Sequence, residues 1–286
     1  MRNAPRGAGF NAAGRRGRRI PQITNDLGVG MTEQFSVSDR TVLVTGAGGG
    51  IGSAIVNAFR AGGANVVATD ANLESLRQIL VGLPHGNGVL PMAMDVSREE
   101  DVARVLEEIG TRFGRLDVLV NNAGIKSAQP LLSGAADKIE RTIQINSVAI
   151  LRCSKLAIGR FMTTKGGRIV NVGSSLSSQG AVFNYQAGGA DYCLSKAIVH
   201  DITKLLAYEC APLKINVNAI APGIIDTPMH GRPREETEAR HSGRIPLGRV
   251  GLPDDIAGLA VFLASPAASY MTGQIVHVNG GMLMNG

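Results

Sequence analysis

From Asp39 onward, short apolar runs rich in β-branched residues alternate with longer stretches whose apolar positions recur at helical spacing. The runs at 41–45, 64–69, 89–94, 116–121, 167–172, 214–219 and 274–278 are almost continuously apolar, the pattern of strands covered on both faces. Between them, 50–62, 73–81, 98–113, 135–164, 191–211 and 253–264 predict helices. Strand and helix in strict alternation imply parallel pairing with right-handed crossovers and helices on both faces of the sheet. The expectation is an α/β fold, three layers deep and doubly wound. No linker or change of composition interrupts 36–286, which reads as one domain.

Residues 1–35 do not share this pattern. Gly, Ala, Arg and Asn dominate, and large apolar side chains are few, so the segment cannot bury enough surface to fold alone. It reads as a disordered basic extension, with Met31 a plausible alternative start just before the fold. Two other readings are a basic arm for an anionic surface and an Arg-rich targeting peptide, although the latter lacks serines and an amphipathic stripe. Six arginines and Asp26 within residues 1–30 account for five of the six excess positive charges of the chain. The basicity is therefore a property of the extension, and a nucleic-acid-binding domain is not expected.

At 286 residues and 44% hydrophobic, the chain is long enough to bury a substantial core without disulfides. Cys153, Cys193 and Cys210 show no C-x-x-C pairing and read as reduced thiols of a cytoplasmic protein. No apolar run is long enough to span a membrane. His230 and His241 have no third ligand spaced with them, so no metal site is expected.

One turn organises the candidate chemistry. Thr45-Gly46-Ala47-Gly48-Gly49-Gly50-Ile51-Gly52 joins the first strand to the first helix. Strand, glycine turn and helix together present backbone N–H groups and a helix N-terminus to a phosphate. Asp70 closes the second strand, where a carboxylate can accept hydrogen bonds from a ribose diol and repel a 2′-phosphate. No Lys or Arg stands in the turn or beside Asp70, so NAD is expected over NADP. In a doubly wound sheet ligands bind beyond the carboxyl ends of the strands. That rule also selects Asp95-Val96, Asn121-Asn122-Ala123-Gly124, Ser174-Ser175 and the segment 222–227.

Tyr192 and Lys196 lie four residues apart at the start of a predicted helix, on one face. A nearby ammonium favours the phenolate and lowers the phenol pKa, which suits proton exchange with a carbonyl or alcohol oxygen. Ser174 could hold the substrate oxygen, with Ser175 as its rival, or both could belong to a serine-rich turn. Asn146, inside the helix predicted for 135–164, could hold a proton-relaying water or cap a kink.

With these pieces assembled, the chain from about Ser36 resembles the short-chain dehydrogenase/reductase superfamily. The resemblance rests on T-G-A-G-G-G-I-G at 45–52, Asp70, Asp95-Val96, N-N-A-G at 121–124, Asn146, V-G-S at 172–174, Y-C-L-S-K at 192–196, N-A-I-A-P-G at 218–223, Thr227 and V-N-G-G at 278–281. It implies a Rossmann fold with a seven-stranded parallel sheet and a nicotinamide cofactor. It implies Tyr192 as acid/base, Lys196 as its pKa-lowering partner and ribose ligand, Ser174 as the substrate-orienting hydroxyl and Asn146 in the proton relay. Gly46, Gly50, Ile51 and Gly52 would line the pyrophosphate, and Asp95 and Val96 the adenine. Asn122 would meet the adenine-side ribose region, and Ile225 and Thr227 the carboxamide. A homotetramer, built on the long helices and the last strand, is also implied.

The stretch 177–189 is longer than in the family's common pattern and borders the expected substrate site. Tyr185 cannot replace Tyr192, because position 189 is Gly rather than Lys. The charged, Pro-containing segment 226–247 corresponds to a mobile lid in the family, and its arginines raise the prospect of an anionic substrate. The apolar Met282-Leu283-Met284 fits a buried interface. The expected activity is NAD(P)-dependent hydride transfer between nicotinamide and a small-molecule secondary alcohol or ketone. The alternative is a catalytically silent regulatory or scaffold protein on the same fold.

Overall fold

The computed structural model describes residue 30 and residues 33–81, 88–163, 166–178 and 189–284. Most of the basic extension and most of the extended stretch 177–189 lie outside the described residues.

The chain alternates strand and helix: β1 Thr41–Thr45, α1 Gly50–Ala61, β2 Asn65–Asp70, α2 Leu73–Val81, β3 Val89–Ala93, α3 Glu99–Phe113, β4 Val118–Asn121 and α4 Ala136–Ile143. It continues through α5 Ala149–Thr163, β5 Gly167–Val172, α6 Ala190–Cys210, β6 Ile215–Pro222, α7 Arg234–His241, α8 Pro253–Ala264 and β7 Ile275–Val278. The seven strands form one sheet in the order β3-β2-β1-β4-β5-β6-β7, and every pairing is parallel. The expected Rossmann-type three-layer architecture is therefore present. Strand order reverses between β1 and β4, which opens a crevice beyond their carboxyl ends.

The central strands are buried along their length, as Thr41–Thr45 and Val118–Asn121 show, because helices cover both faces. On one face Ile55 and Phe59 of α1 pack with Ile256 and Leu263 of α8 over Val44 and Val120. On the other, Leu106 and Ile109 of α3 meet Phe161 of α5 over Leu43, Leu119 and Ile169. Phe59 and Phe161 are fully buried, so truncating either to Ala would cost about 3–5 kcal/mol. α3 carries Glu99, Glu100 and Asp101 in its first turn and Arg112 in its last, complementing the helix dipole. It ends on Gly114 at φ 68°, a left-handed cap that glycine adopts without strain.

Three sequence expectations change. The single helix over 135–164 is interrupted by a π-helical turn at Gln144–Val148. The wider turn buries Ile145, Asn146 and Ser147 together, whereas a regular helix rotates successive side chains about 100° apart. β4 begins at Val118 rather than 116; Asp117, just before it, still bonds Thr41 and Arg168 through its backbone, and its carboxylate accepts the N–H of Thr41 at 2.9 Å. β6 extends beyond 219 to Pro222, pairing with β7 through Pro222 and Val278.

Candidate active site

A cavity of about 430 Å³ occupies the crevice at the carboxyl ends of the strands. Gly46, Gly50, Ile51, Gly52, Asp70, Asp95, Val96, Asn122, Ser174, Tyr192, Lys196, Ile225 and Thr227 all line it. Asn146 does not; it is fully buried behind the wall.

The glycine turn is shaped by close approach. Gly46 has φ +64°, and a Cβ there would come within 2.6 Å of the Ala123 Cα. A Cβ on Gly52 would strike the Gly46 carbonyl oxygen and lie 2.7 Å from Asn122 Nδ2. α1 starts at Gly50 with no side-chain cap on its N-terminus, leaving first-turn N–H groups for an anion. Asn122 donates from Nδ2 to the carbonyl oxygens of Thr45 (3.0 Å) and Gly46 (2.9 Å). Its amide therefore braces the turn from the cavity wall.

Asp70 accepts the N–H of Gly48 at Oδ2 and the N–H of Asn72 at Oδ1, both at 3.0 Å. These bonds fix the carboxylate at the edge of the cavity, where each oxygen keeps a free lone pair. Asp95 Oδ1 accepts from the N–H and hydroxyl of Ser97. Thr227 sits against Gly50, where an added Cβ would lie 2.9 Å from the threonine methyl. An open turn, a bare helix start and a carboxylate at the end of β2 fit a dinucleotide.

The opposite wall carries the titratable groups. α6 places Tyr192 and Lys196 one turn apart on the cavity face, with Lys196 Nζ 5.8 Å from the centre of the Tyr192 ring. Nζ donates to the carbonyl oxygen of Val172, at the end of β5, at 2.7 Å. Burial lowers the Lys196 amine to about 8. Burial pushes the Tyr192 phenol up to about 12, against a smaller lowering from the Ser174 hydroxyl. The lowered phenol pKa expected from the sequence is thus not found: desolvation dominates both groups.

The two serines separate clearly. Ser174 lines the cavity. Ser175 turns away, donating to Ala221 O at 2.8 Å and meeting His277 Nδ1 at 2.9 Å. Asn146 accepts the N–H of Ile125 at 2.8 Å, and its Nδ2 donates to Ile125 O and Ser195 Oγ, each at 2.9 Å. A Cβ on Gly124 would lie 3.2 Å from Asn146 Oδ1 and 3.5 Å from Lys196 Nζ. The missing side chain keeps space open between these two groups.

Lys126 and Arg141 also line the cavity, and neither was singled out from the sequence. Lys126 could have been found by the strand-end rule, since it follows N-N-A-G by two positions. Arg141 carries no such signal. His230, in the segment after β6, lines the same cavity; burial, then the Lys126 charge, lowers its pKa. Among the described residues no group of three His, Cys, Asp or Glu side chains could hold a metal ion. No described helix is long and apolar enough to cross a membrane.

Residues 46–283 match the family model described as enoyl-(acyl carrier protein) reductase. The chain is 39% identical to the 3-oxoacyl-(acyl-carrier-protein) reductase of Vibrio cholerae over 250 residues, covering 87% of this chain and 100% of the relative. The reductase of the same name from Thermotoga maritima is 36% identical over 248 residues, covering 86% and 98%. Among solved structures, a short-chain type dehydrogenase/reductase from Mycobacterium marinum superposes with a TM-score of 0.81 at 32% identity, covering 88% of this chain and 99% of that one.

Proposed function

We propose, since this chain belongs to the short-chain dehydrogenase/reductase superfamily of nicotinamide-dependent oxidoreductases, that it moves hydride between NAD and a secondary alcohol or ketone. The observation that carries the reading is the convergence of Ser174, Tyr192 and Lys196 on one wall of the cavity that the glycine turn and Asp70 close at its other end.

When bound, the nicotinamide ring supplies or accepts the hydride. The protein's own residues handle the oxygen and its proton. Ser174 offers a hydroxyl to the substrate oxygen. Tyr192, held protonated by burial, gives its proton as that oxygen becomes an alkoxide. The buried Lys196 amine, anchored on Val172, stands beside the phenol and stabilises negative charge there whenever it is protonated. Asn146 borders the gap opened by Gly124, where a water could connect Lys196 to the interior.

Asp70 supports NAD over NADP. Its carboxylate is pinned at the cavity edge, and residues 46–52 and 70–72 hold no cation to offset a 2′-phosphate. The names of the curated relatives place 3-oxoacyl thioesters first among the ketones to try. Leu151 on α5, with Leu194, Leu205 and Tyr208 on α6, is exposed, which supports a homotetramer formed through these helices.

The test is a panel of ketones and secondary alcohols, including 3-oxoacyl thioesters, followed by NADH absorbance with NADPH alongside. Turnover with NADH that falls at least about 100-fold in Tyr192→Phe, with dinucleotide binding retained, supports the reading. Dinucleotide binding without turnover on any substrate would instead support a catalytically silent protein.

A further inference from the structure

A second cavity, of about 530 Å³, lies at the other end of the sheet, around the amino-terminal ends of β1, β5 and β6. Arg40, Arg115, Arg168 and Lys214 line it, with Asp117 as the one carboxylate among the lining residues.

That carboxylate is already engaged. Asp117 accepts the N–H of Thr41 at 2.9 Å and is ion-paired with the Arg115 guanidinium. Among the described residues, no ion pair joins Arg40, Arg168 or Lys214 to an acid. Arg168 is half-buried, and its Nη1 donates to the carbonyl oxygen of Gly167 at 3.0 Å. Its Nε is fully buried with no hydrogen-bond partner among the described residues. Burial, then the charge of Arg40, lowers the Arg168 guanidinium below its ordinary value. Lys214 holds φ 60° as a non-glycine residue, a left-handed conformation that fixes the start of β6 beside the cavity. Three cations with no acidic partner among the described residues, one of them with an orphaned buried donor, thus gather on one concavity that an anion would complete.

We propose that this cavity is an anion site for a small phosphoryl compound, separate from the catalytic cavity and independent of the reaction assigned there. Guanidinium forks and an ammonium match phosphate oxygens. Among the described residues no aromatic side chain lines the cavity, so they offer no platform on which a nucleobase could stack. The ligand chemistry is therefore the phosphoryl group itself, as inorganic phosphate, pyrophosphate or a phosphorylated small metabolite.

The probes are inorganic phosphate and inorganic pyrophosphate, titrated calorimetrically into the full chain saturated with NAD and into the NAD-free chain. Thermal unfolding is followed in parallel. Pyrophosphate should bind both forms and raise Tm, because a ligand of the native state stabilises it by mass action. Binding should weaken about tenfold or more in Arg40→Gln/Lys214→Gln, and in Arg168→Gln where that variant folds. Lys214 is exposed, so Lys214→Gln alone, with Tm in buffer unchanged, keeps the test valid if Arg168→Gln does not fold. Phosphate binding more strongly than pyrophosphate would still support the site and assign it to a single phosphoryl group. No binding of either probe, or undiminished binding in Arg40→Gln/Lys214→Gln, overturns the proposal. Binding confined to the NAD-free chain overturns it as well, since the anion would then sit in the glycine turn.

Discussion

Lys196 donates a 2.7 Å hydrogen bond from Nζ to the carbonyl oxygen of Val172, tying the start of α6 to the end of β5. The bond leaves the amine buried and lowered to about 8. The neighbouring phenol of Tyr192 is raised to about 12 by the same desolvation. The two shifts have opposite consequences for stability.

The unfolded chain protonates Lys196 up to about pH 10.5, whereas the folded chain releases that proton near pH 8. Between those values the unfolded state binds more protons, so stability should rise with pH. For Tyr192 the folded state holds the extra proton between pH 10 and about pH 12, so its contribution is lost across that window. Urea midpoints of the cofactor-free chain should climb from pH 8 to pH 10 and fall beyond. Lys196→Met should remove the climb while keeping the fall.

The glycine turn predicts a contrast between neighbours. Gly52→Ala would force a Cβ against the Gly46 carbonyl and Asn122. A loss of about 2–4 kcal/mol in stability is expected, with dinucleotide binding abolished. Gly49 has φ −91°, and a Cβ there meets only Gly46 O at 3.5 Å, an ordinary contact. Gly49→Ala should change stability by less than about 1 kcal/mol. Chemical denaturation and calorimetric titration distinguish the two.

Asp70→Ser should shift cofactor choice. Removing the carboxylate removes the repulsion of a 2′-phosphate, and the ratio of kcat/KM for NADP over NAD should rise at least about tenfold. Because Asp70 also binds the N–H groups of Gly48 and Asn72, a stability loss of about 1–2 kcal/mol should accompany it. An unchanged ratio would remove Asp70 from cofactor selection.

Asp191 braces the entrance to the catalytic helix. It is fully buried and accepts from Thr142 Oγ1 at 2.9 Å, from the N–H of Gln129 at 3.0 Å and from Ser127. Burial pushes its carboxyl up, but these bonds, joined by the N–H of Tyr192, outweigh it and hold the group below its ordinary value. Asp191→Asn should cost about 2–4 kcal/mol at neutral pH. The difference from wild type should shrink as pH falls below about 4, because the unfolded wild-type chain then binds a proton that the folded carboxyl, held lower, has not yet taken up.

His200 lies behind Ser174, with Nε2 3.5 Å from the Ser174 N–H. Burial first, then the His277, Lys204 and Lys196 charges, lower it to about 4, against the opposing charge of Asp201. The unfolded chain takes up this proton first as pH falls. Stability should therefore drop between pH 6.5 and about pH 4, by up to about 1.4 kcal/mol per pH unit from this group. His200→Gln should flatten that part of the urea-midpoint profile.

The alternation of apolar runs and helical periods determined the α/β class and the parallel sheet, because both depend on local backbone preference and on which faces must be covered. The strand-end rule located Asp70, Ser174 and the glycine turn, since chain topology alone sends those positions to one rim. The sequence also held Tyr192 and Lys196 at helical spacing. Only tertiary structure separated Ser174 from Ser175, because adjacent residues differ in orientation and not in type. It broke the helix at Gln144–Val148, where Asn146 and Ser147 turn together towards Ser195 of α6. It reversed the expected direction of the Tyr192 shift, because desolvation depends on everything packed around a group and not on its neighbours in sequence. It also gathered Arg40, Arg168 and Lys214, far apart along the chain, into one cavity. No local pattern encodes such a meeting; the register of the strands does.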